Sequence, residues 1–516
     1  MTLLHEVLRH ILRPVTVPVR EGVSLSEQRF GGNEPTPGGA IAPRCRLEDL
    51  GNPEFRADHG IRYPYLGGSM AKGISSVAMV EELGRAGMLG FFGAAGLPLE
   101  EVEAAVAHLG ELGIPHGFNL IHSPHEPDLE AALADLYLRR GVTLIEASAF
   151  LNLTLPLVRY RVHGIRREAD GRIITPHRII AKVSREELAA KFFAPPPENF
   201  LRELVAAGDI TSEQAELAAR IPMAQDITAE ADSGGHTDNR PAIALFPTIC
   251  GVRDRQQEVH GFTQRLRVGL AGGIATPLSA AAAFSMGADW IMTGSINQAC
   301  VESGTSGEVR AMLAETRQAD IAMAPAADMF EMGVNVQVLK RGTMFSMRAA
   351  RLYELYRLHP DMESIPAAER EKLEKTMFRG TLDEIWRETR SYFLRRDPRQ
   401  VERADRDPKH RMALVFRWYL GQATHWANRG ESSRKIDYQV WCGPAMGAFN
   451  EWATGSFLEQ VENRRVVTVA LNILFGAAVQ MRIAALRCQG TPLPPEATRI
   501  VPLPLDKIKE YLSEKG

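Results

Sequence analysis

Short glycine-bearing stretches carry most of this chain's potential for chemistry. The central one runs from Asp226 to His236, Asp-Ile-Thr-Ala-Glu-Ala-Asp-Ser-Gly-Gly-His. Ile227 and Ala229 alternate as on a short strand. Gly234 and Gly235 then remove both side chains where a flat or anionic ligand could approach the backbone. His236 follows at once, and an imidazole beside bare backbone is a usable proton donor near neutral pH, with glycine amides free to face a ligand. A plain Gly-Gly turn with a solvated histidine accounts for the same residues equally well. The decision rests on whether similar stretches recur at regular spacing.

They recur at the ends of apolar runs. Gly67-Gly68-Ser69-Met70-Ala71 follows Tyr63–Leu66, and Gly93-Ala94-Ala95-Gly96 follows Met88–Phe92. Asn119 falls at the end of Gly117–Leu120, Thr143–Ala147 is a fourth run, and Lys182 closes Arg178–Val183. Gly272-Gly273 follows Arg267–Ala271, and Gly294-Ser295 follows Asp289–Thr293. Helical patterns alternate with these runs. One starts near Ser75 with Val77, Val80 and Leu83 on one face and stops at Gly87; another starts at Thr276-Pro277 and stops at Gly287. With the strand before Gly234 as the sixth, the pattern predicts eight βα units, an α/β chain folded as a (β/α)8 TIM barrel. A doubly wound open sheet is the alternative, but its Gly-x-Gly-x-x-Gly after the first strand is missing.

The domain reading follows: an N-terminal arm over residues 1–60, the barrel over 61–340 with a helical insertion after strand five at about 184–222, and an α-helical C-terminal domain over 341–516. The arm holds Gly31-Gly32, Pro35, Pro37 and Gly38-Gly39, and the insertion holds Pro195-Pro196-Pro197. The C-terminal patterns are Met347–Leu358, Pro366–Met377, Leu382–Leu394 and Arg411–Leu420. In such barrels the site lies at the carboxyl ends of the strands, and the loops after strands seven and eight often hold a phosphate. Gly272-Gly273 and Gly294-Ser295 stand at those places. Gly67–Ala71 could lie against a flat ring, Asn119 could hydrogen-bond it and Lys182 could put a cation beside it, which is the set a flavin needs.

Composition excludes other classes. The 516 residues are 45% hydrophobic, and a formal charge of −3 gives no global field for nucleic acid or membrane. Cys45, Cys250, Cys300, Cys442 and Cys488 are too scattered for a zinc or disulfide framework and read as reduced thiols of a cytoplasmic protein. No metal site is expected, and no apolar stretch is expected to reach bilayer-spanning length. Residues 340–435 hold 22 Lys+Arg against 14 Asp+Glu, a local excess of eight positive charges.

The runs Gly67–Ile74, Gly90–Gly96, Gly117–Pro124, Glu146–Phe150, Glu230–Asn239, Thr293–Gln298, Asp328–Gly342, Phe416–Gly421 and Asp437–Asn450 resemble the PfaD family. Its members are stand-alone flavin enoyl reductases serving polyunsaturated fatty acid and trans-acyltransferase polyketide synthases. Ala-Pro-Ala-Ala-Asp-Met-Phe-Glu-Met-Gly at Ala324–Gly333 and the run Trp441–Asn450 are the most specific parts. More distantly, the barrel is similar to nitronate monooxygenases, whose Gly-Gly-His follows the same strand. The resemblance implies an FMN barrel that uses NADPH to reduce a 2-enoyl thioester carried by an acyl carrier protein. It implies flavin contacts at Gly68, Ser69, Met70, Asn119, Lys182, Asp232, Gly234, Gly235, Gly272, Gly273, Gly294 and Ser295. His236 takes the place of the active-site histidine and is the expected proton donor, with Asn239 and Asn297 as competing candidates. The basic run Arg395, Arg396, Arg399, Arg403 and Arg406 is the expected carrier-docking surface. Oligomeric state stays open, a homodimer being one option.

Other functions compete. A nitronate monooxygenase-like oxidase would use the same His236 to deprotonate an acidic carbon. An inosinate-dehydrogenase-like barrel would use Cys300 as nucleophile, although a cysteine on the helix after strand eight reads better as a small core residue. A scaffold that only docks carrier proteins is the non-enzyme alternative.

Overall fold

The computed structural model describes residues 4–17, 39–124, 126–235 and 237–513. Its centre is a closed parallel barrel of eight strands: β1 (Tyr65–Gly67), β2 (Leu89–Phe92), β3 (His116–Ile121), β4 (Leu144–Ser148), β5 (Arg178–Val183), β6 (Asp226–Glu230), β7 (Arg267–Ala271) and β8 (Ile291–Thr293). Each strand pairs with the next, and β8 closes onto β1 through Ile291↔Tyr65, Met292↔Leu66 and Thr293↔Gly67. The α/β barrel expected from the alternating runs is therefore the fold. The helices start and stop where local chemistry dictates. Val77–Arg85 is capped by the Ser76 hydroxyl, which accepts from the Met79 amide at 3.1 Å, and the chain leaves it through Gly87 at φ +75°. Pro277–Ser285 begins at a Thr276 capping box, with proline in its first turn. Three helices, Glu186–Phe193, Glu198–Ala207 and Ser212–Ala218, form the insertion between β5 and β6.

The two ends of the barrel differ. At the amino end, the helix Pro53–His59 presses Phe55 onto Trp290, with ring centroids 4.1 Å apart and planes 13° from parallel. Trp290 lies across Gly269, where a Cβ would come within 2.1 Å of the indole. Around this plug, Arg267 pairs with Asp226 at 2.6 Å and with Asp58 at 2.7 Å, and His59 meets Asp226 at 2.9 Å. The Arg267 and Asp226 charges are buried and mutually satisfied. Phe55 and Trp290 thus fill the barrel axis at this end.

A hairpin, β9 (Ile321–Pro325) and β10 (Asn335–Leu339), follows the barrel. The helices Phe345–Leu358, Leu382–Arg396 and Pro408–Arg429 gather with it around a second apolar core drawn from Ala324 to Ala423. From Ala427 onward the buried residues rejoin the barrel's core. Contrary to the expectation above, one helix, Val466–Cys488, is 23 residues long and apolar enough to cross a bilayer. Packing accounts for that composition, because 83% of its apolar window is buried in the protein. It lies between Pro277–Ser285 and the N-terminal segment, where Arg482 donates to the carbonyls of Arg13 and Pro43 at 2.7 and 2.9 Å. The N-terminal residues described form a helix, Leu4–Arg9, and a pair of strands, Val15–Val17 with Ala40–Ala42. Gly31-Gly32, Pro35, Pro37 and Gly38 lie outside the described residues.

Candidate active site

The open carboxyl end of the barrel holds a cavity. Of the twelve residues expected to contact a cofactor, eleven line it: Gly68, Ser69, Met70, Asn119, Lys182, Gly234, Gly235, Gly272, Gly273, Gly294 and Ser295. Asp232 is not in the wall. Its Oδ1 accepts from Gln337 Nε2 at 2.6 Å and Asn239 Nδ2 at 2.9 Å, which ties the loop after β6 to the hairpin strand β10. His236 lies outside the described residues.

Two of the glycines leave room that a side chain would fill. A Cβ on Gly273 or Gly294 would meet no atom within 4 Å, so the backbone after β7 and β8 is bare toward open space. Gly272 is glycine for a different reason: φ is +84°, and a Cβ would approach the Ala231 backbone to 2.5 Å. Gly234 also has a packing reason, which the reading of bare ligand-facing amides did not include. The backbone of Cys442 lies 3.0 Å from where its Cβ would be, and a Cβ on Gly443 would come equally close, 3.0 Å, to Gly234 N. The segment Trp441–Ala445 thereby seats on the loop after β6, and Gly443 N–H donates to Ser295 Oγ at 3.1 Å. Trp441, Ala445 and Val336 complete the cavity wall as a roof supplied from outside the barrel.

The polar heart of the cavity is a carboxylate–ammonium cluster. Lys182 Nζ sits 3.6 Å from Glu146 and 3.4 Å from Glu230. Burial works against the ammonium, but Glu146 and Glu230 outweigh it and hold Lys182 charged above its ordinary range. Burial pushes the Glu146 carboxyl above the usual carboxylate range, while Lys182 and Ser69 pull it back. Ser69 N–H donates to Glu146 Oε2 at 3.1 Å, and the Ser69 hydroxyl donates to the same oxygen. Glu146 Oε1 is buried with no hydrogen-bond partner among the described residues. Asn119 gives its amide hydrogens to Ser148 Oγ at 2.9 Å and the Glu146 carbonyl at 3.2 Å, so its carbonyl oxygen is the group left for a ligand donor.

Glu146 and Glu230 were not singled out from the sequence. The signal was present, since a carboxylate inside the fully buried strand Leu144–Ser148 is tolerated only with a partner. Two further candidates, Asn239 and Asn297, are corrected, and the core reading of Cys300 holds. Asn239 is engaged with Asp232, and Asn297 is fully buried, accepting from Tyr65 at 3.3 Å and donating to the Thr293 carbonyl. Cys300 is buried outside the cavity, and burial pushes its thiol well up, the reverse of what a nucleophile needs. The basic run is also partly spent inside the molecule. Arg396 makes a bidentate pair with Glu126 at 2.6 and 3.2 Å, and Arg399 reaches Asp128 at 2.6 Å, so both brace the helices against the barrel. Arg395, Arg403 and Arg406 remain exposed.

Comparison with known proteins matches this construction. A family model described as the inserted helical domain of [acyl-carrier-protein] S-malonyltransferase matches residues 359–438. One of the polyunsaturated fatty acid synthase polypeptides of Thraustochytrium sp. is 50% identical over 457 residues, 87% of this chain and 30% of that protein. The polyketide biosynthesis protein PksE of Bacillus subtilis is 46% identical over 435 residues, 84% of this chain and 56% of that protein. The chain thus spans about a third of the first and about half of the second. The crystal structure of the enoyl reductase domain of MlnA, from the macrolactin biosynthesis cluster of Bacillus amyloliquefaciens, superposes with a TM-score of 0.80 at 41% identity. Since that alignment covers 86% of this chain and 99% of the solved domain, the chain belongs to the PfaD family of enoyl reductases shared by polyunsaturated fatty acid and polyketide synthases.

Proposed function

We propose that this protein is an FMN-dependent enoyl reductase that takes its hydride from NADPH and saturates the 2,3-double bond of enoyl thioesters on an acyl carrier protein. The observation that carries the proposal is the convergence of the strand-end residues on one cavity: bare backbone at Gly273 and Gly294, a buried ammonium at Lys182 and the Asn119 carbonyl. These groups suit a flat ring with a polar edge and an anionic tail. The amides of Gly273, Gly294 and Ser295 would hold the phosphate, and Asn119 and Lys182 would take the ring's polar edge. Bound FMN, once reduced, would supply the hydride for the β-carbon.

The chain's own residues do the rest. Glu146 and Glu230 fix Lys182 as a permanent cation, whose charge favours a reduced, anionic ligand. Trp441 and Val336 cover the cavity and keep water from the reacting carbon. His236, next to Gly235 in the chain, delivers the proton to the α-carbon or polarises the thioester carbonyl. The exposed Arg395, Arg403 and Arg406 meet the acidic carrier, so docking weakens as salt rises.

The test is spectroscopic. Purified protein should be yellow, anaerobic NADPH should bleach it, and a crotonyl-pantetheine thioester should restore the colour without oxygen. A flavin that NADPH leaves coloured, or that only oxygen restores, would overturn the reductase reading and favour a nitronate monooxygenase-like oxidase. A colourless protein that accepts no FMN would favour a scaffold.

A further inference from the structure

A second cavity opens beside the first, in the seam between the barrel and the helical body. Ala71, Ala95, Ile121, Val336 and Trp441 line both, so the two share a wall. Away from that wall the seam is apolar, with Leu97, Leu129 and Leu133 on the barrel side and Ala326 and Leu420 on the helical side. Several of its polar groups are already engaged. Arg396 is held by Glu126 at 2.6 Å, Lys72 Nζ donates to the Gly421 carbonyl at 2.9 Å, and the Gln439 amide nitrogen donates to Thr424 Oγ1 at 2.9 Å. A ligand lying here gains apolar contact and finds several hydrogen-bonding partners taken.

We propose that this seam receives the aliphatic chain of the acyl substrate beyond the double bond. The inference rests on the reductase reading above and adds where the chain goes. An enoyl thioester over the first cavity has two ends to place. The pantetheine arm carries two amides, and burying each without a partner is costly. The alkyl end carries none and is stabilised by every methylene taken from water. Walls of leucine and alanine suit the alkyl end, and Ala95 and Trp441, which line both cavities, set the seam directly beside the reaction cavity, within reach of one chain.

The test separates this inference from the reductase reading. Calorimetry with saturated thioesters, which cannot turn over, compares butyryl- and decanoyl-pantetheine on the FMN-loaded wild-type protein. The expected result is decanoyl binding at least about ten-fold tighter. Equal affinities would overturn the proposal. Leu97→Trp and Leu129→Trp, which narrow the seam from the barrel side, should each erase that preference. If either variant weakened both thioesters by the same factor, the seam would hold the pantetheine arm and the proposal would fall. Failure of wild-type protein to reduce crotonyl-pantetheine would sink the reductase reading alone, because the calorimetric preference is read without turnover.

Discussion

Lys182→Met is the most informative single change, because it leaves two carboxylates facing each other in a closed space. The lysine side chain is 11% exposed, and its partners Glu146 and Glu230 are 0% and 14% exposed. At the separations of 3.6 and 3.4 Å, each attraction is about 5 kcal/mol in a medium of effective dielectric about 20. Desolvation offsets much of that, but breaking a buried pair from one side typically costs about 3–5 kcal/mol. Over 516 residues that corresponds to a melting shift of about 3–5 °C in the flavin-free protein. The shift should depend on pH in a fixed direction. Without the ammonium, the Glu146 carboxyl, already pushed up by burial, rises further above its unfolded value. A carboxyl raised by folding is harmless while protonated and loses stability as pH climbs through its folded pKa. The deficit should therefore be small near pH 5 and should grow toward pH 8, by up to about 1.4 kcal/mol per unit. Thermal unfolding followed by tryptophan fluorescence at pH 5, 6.5 and 8 measures it, and adding Glu146→Gln should recover part of the loss at pH 8. A Lys182→Met protein that melts within about 1 °C of wild type at every pH would show that the cluster is solvated, and the assigned role of Lys182 would fall with it.

Other outcomes follow from the same structure. Gly294→Ala adds a Cβ into open space at a negative φ, so melting should change little while FMN affinity falls at least about ten-fold; unchanged affinity would exclude that backbone from the cofactor site. Gly272→Ala strikes the Ala231 backbone at a positive φ and should destabilise the protein by about 2–5 kcal/mol with or without cofactor, as read by denaturant unfolding. Arg267 and His59 overcome burial to hold the Asp226 carboxyl down at about 2. It contributes stability above the unfolded value, and roughly 2 kcal/mol should disappear as pH falls from about 4 to 2 in wild type but not in Asp226→Asn. His236→Ala should keep FMN and its bleaching by NADPH while crotonyl-pantetheine turnover drops by about 10²–10⁴; a wild-type rate would move the proton donor elsewhere.

The barrel was legible because five of its strand ends, those of β1, β2, β6, β7 and β8, announce themselves with an apolar run followed closely by glycine, and helical patterns fill the intervals. Lys182 and Asn119 were legible from their place near the end of a strand. Glu146 was hidden because its partner Lys182 lies on another strand of the closed sheet, and only the folded barrel brings the charges together. The reason for Gly234 was hidden too, since the Cys442 backbone that excludes a side chain there is supplied by a segment remote in the chain. Val466–Cys488 gave no helical period because it is buried on nearly every side, and amphipathic patterning appears only where one face meets water. The hairpin β9–β10 escaped notice because its strands are separated by Ala326–Val334 and not by a tight Asn-Gly or Asp-Gly turn.

The contact of Gly234 with Cys442 and Gly443 has a consequence for biosynthesis. A ribosome that has just released β8 has extruded a complete cylinder whose mouth has no cover, since Trp441 and Ala445 are still untranslated. Enclosure of a prosthetic group must then wait until Trp441 and Ala445 have been made, and a nascent chain stalled earlier would display an open, uncovered rim to chaperones.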